Sequence, residues 1–164
     1  MALLAGNYDV ELLAAGATVD AERIYLEGCL ALAEELGVAD RFQWLGQVDR
    51  GGKLALLRSI DLFVMPATHP EAKGLPVIEA MAAGVPVIAP AEGTFPELLD
   101  GERAGILHAP REPEDLARAV AELAADGERA AAIGRHGHRL ARSRHAADSM
   151  AAAHEALYER LVGG

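Results

Sequence analysis

Among the 164 residues there is a single cysteine, Cys29, so no internal disulfide can form. Its place in an amphipathic helical pattern favours a plain packed thiol, and a cytoplasmic compartment fits such sparse cysteine usage. Aromatic residues are only 4% of the chain although hydrophobic residues are 51%, so the apolar content is mostly Ala, Leu and Val. Side chains of that size suit close packing of helices on a sheet and argue against disorder. Positive charge is also short: 15 Lys and Arg against 25 Asp and Glu leave a formal net charge of −10. A phosphate backbone would be repelled, so no nucleic-acid partner is expected. The one basic concentration is the Arg/His-rich stretch from Arg135 to His145. Long hydrophobic runs are missing too. The longest, Ala80 to Ala91, contains Gly84, Pro86 and Pro90, so no transmembrane segment is expected. The first residues, Met1 to Gly6, lack the cationic region and the apolar length of a signal peptide.

What is present is an alternation. Tyr8 to Ala15 is a compact apolar run closed by Gly16, the pattern of a buried strand. Asp20 to Leu36 has helical spacing, with Ile24, Leu26, Leu30, Leu32, Ala33 and Leu36 apolar and Gly37 placed as a stop. Strands are predicted at Arg41 to Leu45, Asp61 to Met65, Pro86 to Ala89 and Gly105 to His108. Between them fall a short helix from Lys53 to Ser59, another from Pro76 to Ala83 stopped by Gly84, and a helical turn at Glu97 to Leu99. Glu112 to Ala124 is predicted helical with Pro113 in its first turn. Glu128 to Leu161 reads as Ala-rich helix, broken or kinked near Gly134 and Gly137, with Leu140, Met150, Leu157 and Leu161 on its packing face. Strand and helix in alternation with short connections define an α/β fold, a parallel Rossmann-like sheet with helices on both faces. The length allows one such domain, spanning 1–164.

Ligands of open parallel sheets bind beyond the carboxyl ends of the strands. The loop from Ala67 to Gly74 lies at such an end and leads into a helix that has Pro76 in its first turn. Amides around Gly74 and Leu75 would then be free, next to the positive end of the helix dipole, and could receive an anion. Gly74 allows close backbone approach, and Lys73 adds a point charge. Glu79 is the only charged residue between Gly74 and Ala91, so it needs donors. Vicinal ribose hydroxyls would supply them; the helix dipole or a distant Arg would also account for it. Glu71, taken alone, reads equally as a solvated loop carboxylate.

The string Glu71-Ala72-Lys73-Gly74-Leu75-Pro76-Val77-Ile78-Glu79-Ala80-Met81-Ala82-Ala83-Gly84-Val85-Pro86-Val87-Ile88-Ala89 resembles the E-x7-E signature of retaining nucleotide-sugar glycosyltransferases of family 4, also called group 1. Glu71 and Glu79 meet its spacing. Leu36 to Gly46 resembles that family's strand before the base-binding loop, and Gly93-Thr94-Phe95-Pro96-Glu97 its following loop. The likeness runs from about Val10 to the C-terminal helix.

The resemblance implies the C-terminal, donor-binding half of a two-Rossmann-domain enzyme that transfers a sugar from a nucleotide-sugar to an acceptor hydroxyl with retention. By the same likeness, Glu79 holds the ribose hydroxyls and Glu71 is the catalytic-site carboxylate meeting hydroxyls of the transferred sugar. Lys73, Gly74 and Leu75 meet sugar and diphosphate, and backbone from Gly46 to Val48 meets the base edge. No metal and no cofactor are implied, because basic side chains and helix amides stabilise the diphosphate leaving group in that family. The expected partners are a nucleotide-sugar and a separate acceptor-binding domain or subunit. The full enzyme is expected in the cytoplasm or peripheral to the inner membrane. Two departures stand out. The family's first strand of this domain, with its diphosphate-gripping cations, and the whole acceptor domain should lie before Tyr8, and this domain is expected to lack both. Lys73 also stands where an aromatic or small residue is usual. A non-catalytic sugar-nucleotide-binding module or subunit is the alternative function, and self-association through an exposed sheet edge is a third.

Of the histidines, His69 lies in the proposed site loop, while His138 and His145 are spaced two turns apart and, with His136, read as surface residues. Glu97 reads equally as a surface residue or as part of the donor cleft.

Overall fold

The computed structural model describes residues 1–17 and 20–163. Among the described residues, five parallel strands form two sheets. Strand β1 (Leu12–Ala14) pairs with β2 (Phe42–Trp44), with Leu12 opposite Phe42. Strands β3 (Phe63–Val64), β4 (Val87–Pro90) and β5 (Gly105–His108) form the second sheet in that order. The helices are α1 (Asp20–Glu35), α2 (Arg50–Ser59), α3 (Leu75–Ala83), α4 (Phe95–Leu98), α5 (Pro113–Ala125), α6 (Gly127–Arg144) and α7 (Ala147–Val162).

The core forms on both faces of β4, as the alternation of side chains along a strand requires. Val87 and Ala89 pack with Val77, Ala80 and Met81 of α3, with Leu57 of α2 and with Phe95 and Leu98 of α4. Ile88 points the other way, against Ile106, Ala119 and Leu123 of β5 and α5, and Ile133 of α6. Each fully buried side chain of this size contributes about 1.5 to 3 kcal/mol. The three-stranded sheet is therefore covered on both sides, as the sequence predicts.

Several boundaries differ from the sequence expectation. The first strand is three residues long rather than Tyr8 to Ala15, because Met1 to Tyr8 is wound into turns, with Leu4 buried and Tyr8 N donating to Leu4 O at 2.9 Å. The strand expected at Asp61 to Met65 is regular only at Phe63–Val64, although Met65 N still donates to Ile88 O at 2.9 Å. Helix α2 begins earlier than Lys53, since the Asp49 carboxylate accepts from Gly52 N at 2.7 Å and caps it.

The apolar stripe assigned to α1 is largely uncovered. Ile24 is 78% exposed, and Leu30, Leu32 and Leu36 are exposed as well, leaving Leu26, Cys29 and Ala33 as the partly buried side. A two-stranded sheet is too narrow a floor for a helix with apolar residues on several sides. Gly134 and Gly137 do not kink the chain either: α6 runs through both and ends at Arg144. They are there for proximity, since a Cβ at Gly134 would lie 2.2 Å from Gly84 O, and one at Gly137 3.4 Å from Ala104 O. The break falls at His145 and Ala146, the latter extended at φ −73° and ψ 147°. Of the predicted packing face, Leu140 is buried, but Met150, Leu157 and Leu161 are exposed on α7, which has no buried residue.

Candidate functional site

Three loops meet at the carboxyl ends of β3, β4 and β5: residues 66–74, 91–94 and 109–112. The first carries the chain from β3 into α3 and contains Glu71. Its last residue, Gly74, is the N-cap of α3, with φ 61°, and is buried so closely that a Cβ would sit 2.6 Å from Leu98 Cδ1. Only glycine combines that backbone with that proximity. Leu75 opens the helix and is exposed, and Pro76 follows it, one position later than expected.

The amides expected to be free are in part already used. Ala72 N and Lys73 N donate to Glu71 Oε1 at 2.9 and 3.0 Å. The Lys73 amide hydrogen bond is the largest influence holding the Glu71 carboxyl below its ordinary range, with the Gly74 amide next. A carboxylate just upstream thus curls into the nest that an external anion would otherwise enter. Two further contacts hold this loop. Thr94 N donates to Glu71 O at 2.9 Å, and Gly93, at φ 60°, lies so near that a Cβ there would be 2.6 Å from the same oxygen. The segment from Gly93 to Glu97 therefore buttresses Glu71, with Phe95 buried beneath and Glu97 exposed.

One turn into α3, Glu79 is half-buried and its Oε1 accepts from Lys53 Nζ of α2 at 2.6 Å. Lysine, rather than the arginine or helix dipole weighed from sequence, is its partner. Lys53 and Glu79 line one cleft of about 740 Å³ between α2 and α3, together with Val48, Asp49, Leu54 and Ala83. Val48 and Glu79 thus line one cleft; Glu71, Lys73, Gly74 and Leu75 form the neighbouring helix entrance rather than the cleft wall. Gly46, at φ 67°, accepts from Gly16 N at 3.0 Å and so joins the ends of β1 and β2 beside Val48.

Sequence reasoning missed Lys53 and a second ion pair, Arg111 with Glu92. Lys53 and Lys73 are the only lysines in the chain, which was a usable signal. Nothing in the sequence marks Arg111. Several histidines make local or packing contacts. His69 Nδ1 shares a hydrogen bond with Thr68 Oγ1 at 2.9 Å, and His138 Nδ1 one with Ala82 O at 2.7 Å, tying α6 to α3. His136 Nε2 lies 3.6 Å from Asp100 Oδ2.

A parallel α/β sheet with loops and a helix entrance gathered at the strands' carboxyl ends defines a Rossmann-like ligand-binding domain. The chain belongs to the family described as glycosyl transferases group 1, whose model matches residues 1–139. That match starts before Val10 and stops short of α7. The chain is 36% identical over 134 residues to a GDP-mannose-dependent alpha-(1-6)-phosphatidylinositol monomannoside mannosyltransferase of Mycobacterium tuberculosis, covering 78% of the chain and 35% of the relative. It is 40% identical over 113 residues to a D-inositol 3-phosphate glycosyltransferase of Segniliparus rotundus, covering 68% and 24%. Among solved structures, sucrose-phosphate synthase of Thermosynechococcus elongatus superposes with a TM-score of 0.84 at 29% identity, over 99% of this chain and 42% of that one. Anabaena HepE in complex with UDP superposes with a TM-score of 0.86 at 25% identity, over 99% and 43%. The chain therefore spans about a third and a quarter of these two curated relatives and about two fifths of these structures.

Proposed function

We propose that this chain is the donor-binding half of a retaining glycosyltransferase that moves a hexose from a nucleoside-diphosphate sugar to an acceptor hydroxyl. The observation that carries it is the cleft between α2 and α3 that Glu79, held by Lys53, shares with Val48. With Oε1 held by the ammonium, Glu79 Oε2 is the oxygen left to accept from a ribose hydroxyl, and the base edge is met by backbone from Gly46 to Val48, of which Val48 lines the same cleft. The diphosphate lies beside the nest that Glu71 fills, where the Leu75 amide, the helix dipole and the Lys73 side chain favour negative charge. Glu71, held by three amide hydrogen bonds from its own and the next loop, presents a fixed carboxylate to sugar hydroxyls. Its carboxyl is ionised at neutral pH, so it accepts and does not donate. No resident metal or cofactor enters this scheme. The acceptor is oriented by a separate domain or subunit, which gives transfer its second wall.

The mannosyltransferase relative is named for GDP-mannose, and the Anabaena protein is seen with UDP and with UDP-glucose. Those two donors set the panel for the test. Calorimetric titration of the chain with GDP-mannose, UDP-glucose and the free diphosphates is expected to show binding to one base series, weakened at least about tenfold by Glu79→Ala. Equal affinity in the variant would remove Glu79 from the site.

A further inference from the structure

We propose that Arg111 is a positioning residue that clamps the three loops at the carboxyl ends of β3, β4 and β5 into one platform beneath Glu71. Arg111 follows β5 and has φ 62°, a backbone conformation that a residue with a side chain rarely adopts. From there its Nη1 donates to Glu92 Oε1 at 3.1 Å, to Glu92 Oε2 at 3.2 Å, and to Thr68 O at 3.4 Å. One guanidinium thus reaches the loop after β4 and the loop after β3 from the loop after β5. The Glu92 side chain is only 15% exposed, so the pair is shielded on its acidic side.

The contacts close a ring. Thr68 stands three residues before Glu71. Glu92 precedes Gly93 and Thr94, which press on the Glu71 backbone and donate to its carbonyl. Pulling Glu92 toward Arg111 therefore holds the buttress against Glu71, and the bond to Thr68 holds the other end of the same loop. All three contacts run through Nη1, so one nitrogen at the tip of the side chain is shared between the Glu92 carboxylate and the Thr68 carbonyl. The positive-φ backbone sends the side chain back across the loops. The consequence for sugar recognition rests on the proposed role of Glu71; the clamp itself is a property of the ligand-free protein.

The test is amide hydrogen exchange by NMR in the full chain, with wild type, Arg111→Ala, Glu92→Gln and the double variant. Arg111→Ala is expected to speed exchange at the Thr94 and Lys73 amides about fivefold to tenfold, while Ile88 and Ala89 in β4 stay protected. The double variant is expected to add nothing beyond Arg111→Ala, because both changes open one ring. The Glu71 carboxyl should titrate closer to its ordinary value in Arg111→Ala as the Lys73 and Gly74 amides loosen. Unchanged exchange at Thr94 and Lys73, or additive effects in the double variant, would overturn the clamp. Should Arg111→Ala not fold, Glu92→Gln alone reads the same ring, since it keeps the side chain's shape and removes its charge. Donor titration of the wild type separates the two claims: absence of donor binding with loosened exchange in Arg111→Ala refutes the proposed function and leaves the clamp standing.

Discussion

Thr94 N donates to Glu71 O at 2.9 Å, so the loop after β4 supports the backbone of the loop that enters α3. Gly93 makes that approach possible. Its φ of 60° and its closeness to Glu71 leave no room for a Cβ. Gly93→Ala is expected to cost about 1 to 3 kcal/mol of stability. A lower urea midpoint with an unchanged slope would register it.

One helix glycine that is kept for packing and one that is not predict a contrast. Gly134→Ala sets a Cβ against the Gly84 carbonyl and is expected to destabilise by at least about 1 to 3 kcal/mol. Gly28→Ala in α1 meets open space and should stabilise by about 0.5 to 1 kcal/mol. Thermal unfolding of both variants measures the pair. Equal shifts would contradict the close packing of α6 on α3.

Much of this architecture was legible in the residues, and the exceptions have physical causes. Strand β5 falls at Gly105 to His108 as predicted, and α3 stops at Gly84 because its φ of 81° suits glycine. Such features are local: the residue's own backbone preference decides them. Lys53 with Glu79 and Arg111 with Glu92 lie 26 and 19 residues apart in sequence, and no periodicity encodes such pairings. Helix α1 failed differently. Apolar spacing says which side of a helix can be buried, and the width of the β1 and β2 floor decides how much is. The Glu71 carboxylate within its own loop was missed because an anion-binding nest looks the same in sequence whether its occupant is internal or external.

Acid should weaken the fold through Asp100. Hydrogen bonds from Arg103 hold its carboxyl below the ordinary value, with the charges of Arg103 and Arg144 adding to the effect against the opposing influence of burial. A carboxyl depressed in the folded state contributes stability that is full above its unfolded value, about pH 4, and is lost as pH falls through the lower folded value. Glu71 acts in the same direction. Urea midpoints between about pH 5 and pH 3 should therefore fall, and Asp100→Asn should flatten that fall. A slope unchanged by the substitution would contradict the role given to Asp100.

Lys53→Met separates stability from binding. Both members of the Lys53 and Glu79 pair are about half exposed, at 43% and 42%, so its loss should cost no more than about 1 kcal/mol of folding stability. Donor affinity is expected to fall about threefold to tenfold, because Glu79 loses the contact that orients it before binding. Denaturation and calorimetry on the same sample check both.

The central claim, that a nucleoside-diphosphate sugar binds in the cleft that Glu79 shares with Val48, is tested most directly by following backbone amide signals while GDP-mannose or UDP-glucose is added. The account predicts shifts concentrated at Val48, Glu79 and the Gly74 to Leu75 entrance of α3, abolished in Glu79→Ala. Shifts confined to other surfaces, or none in a folded sample for either donor, would contradict it.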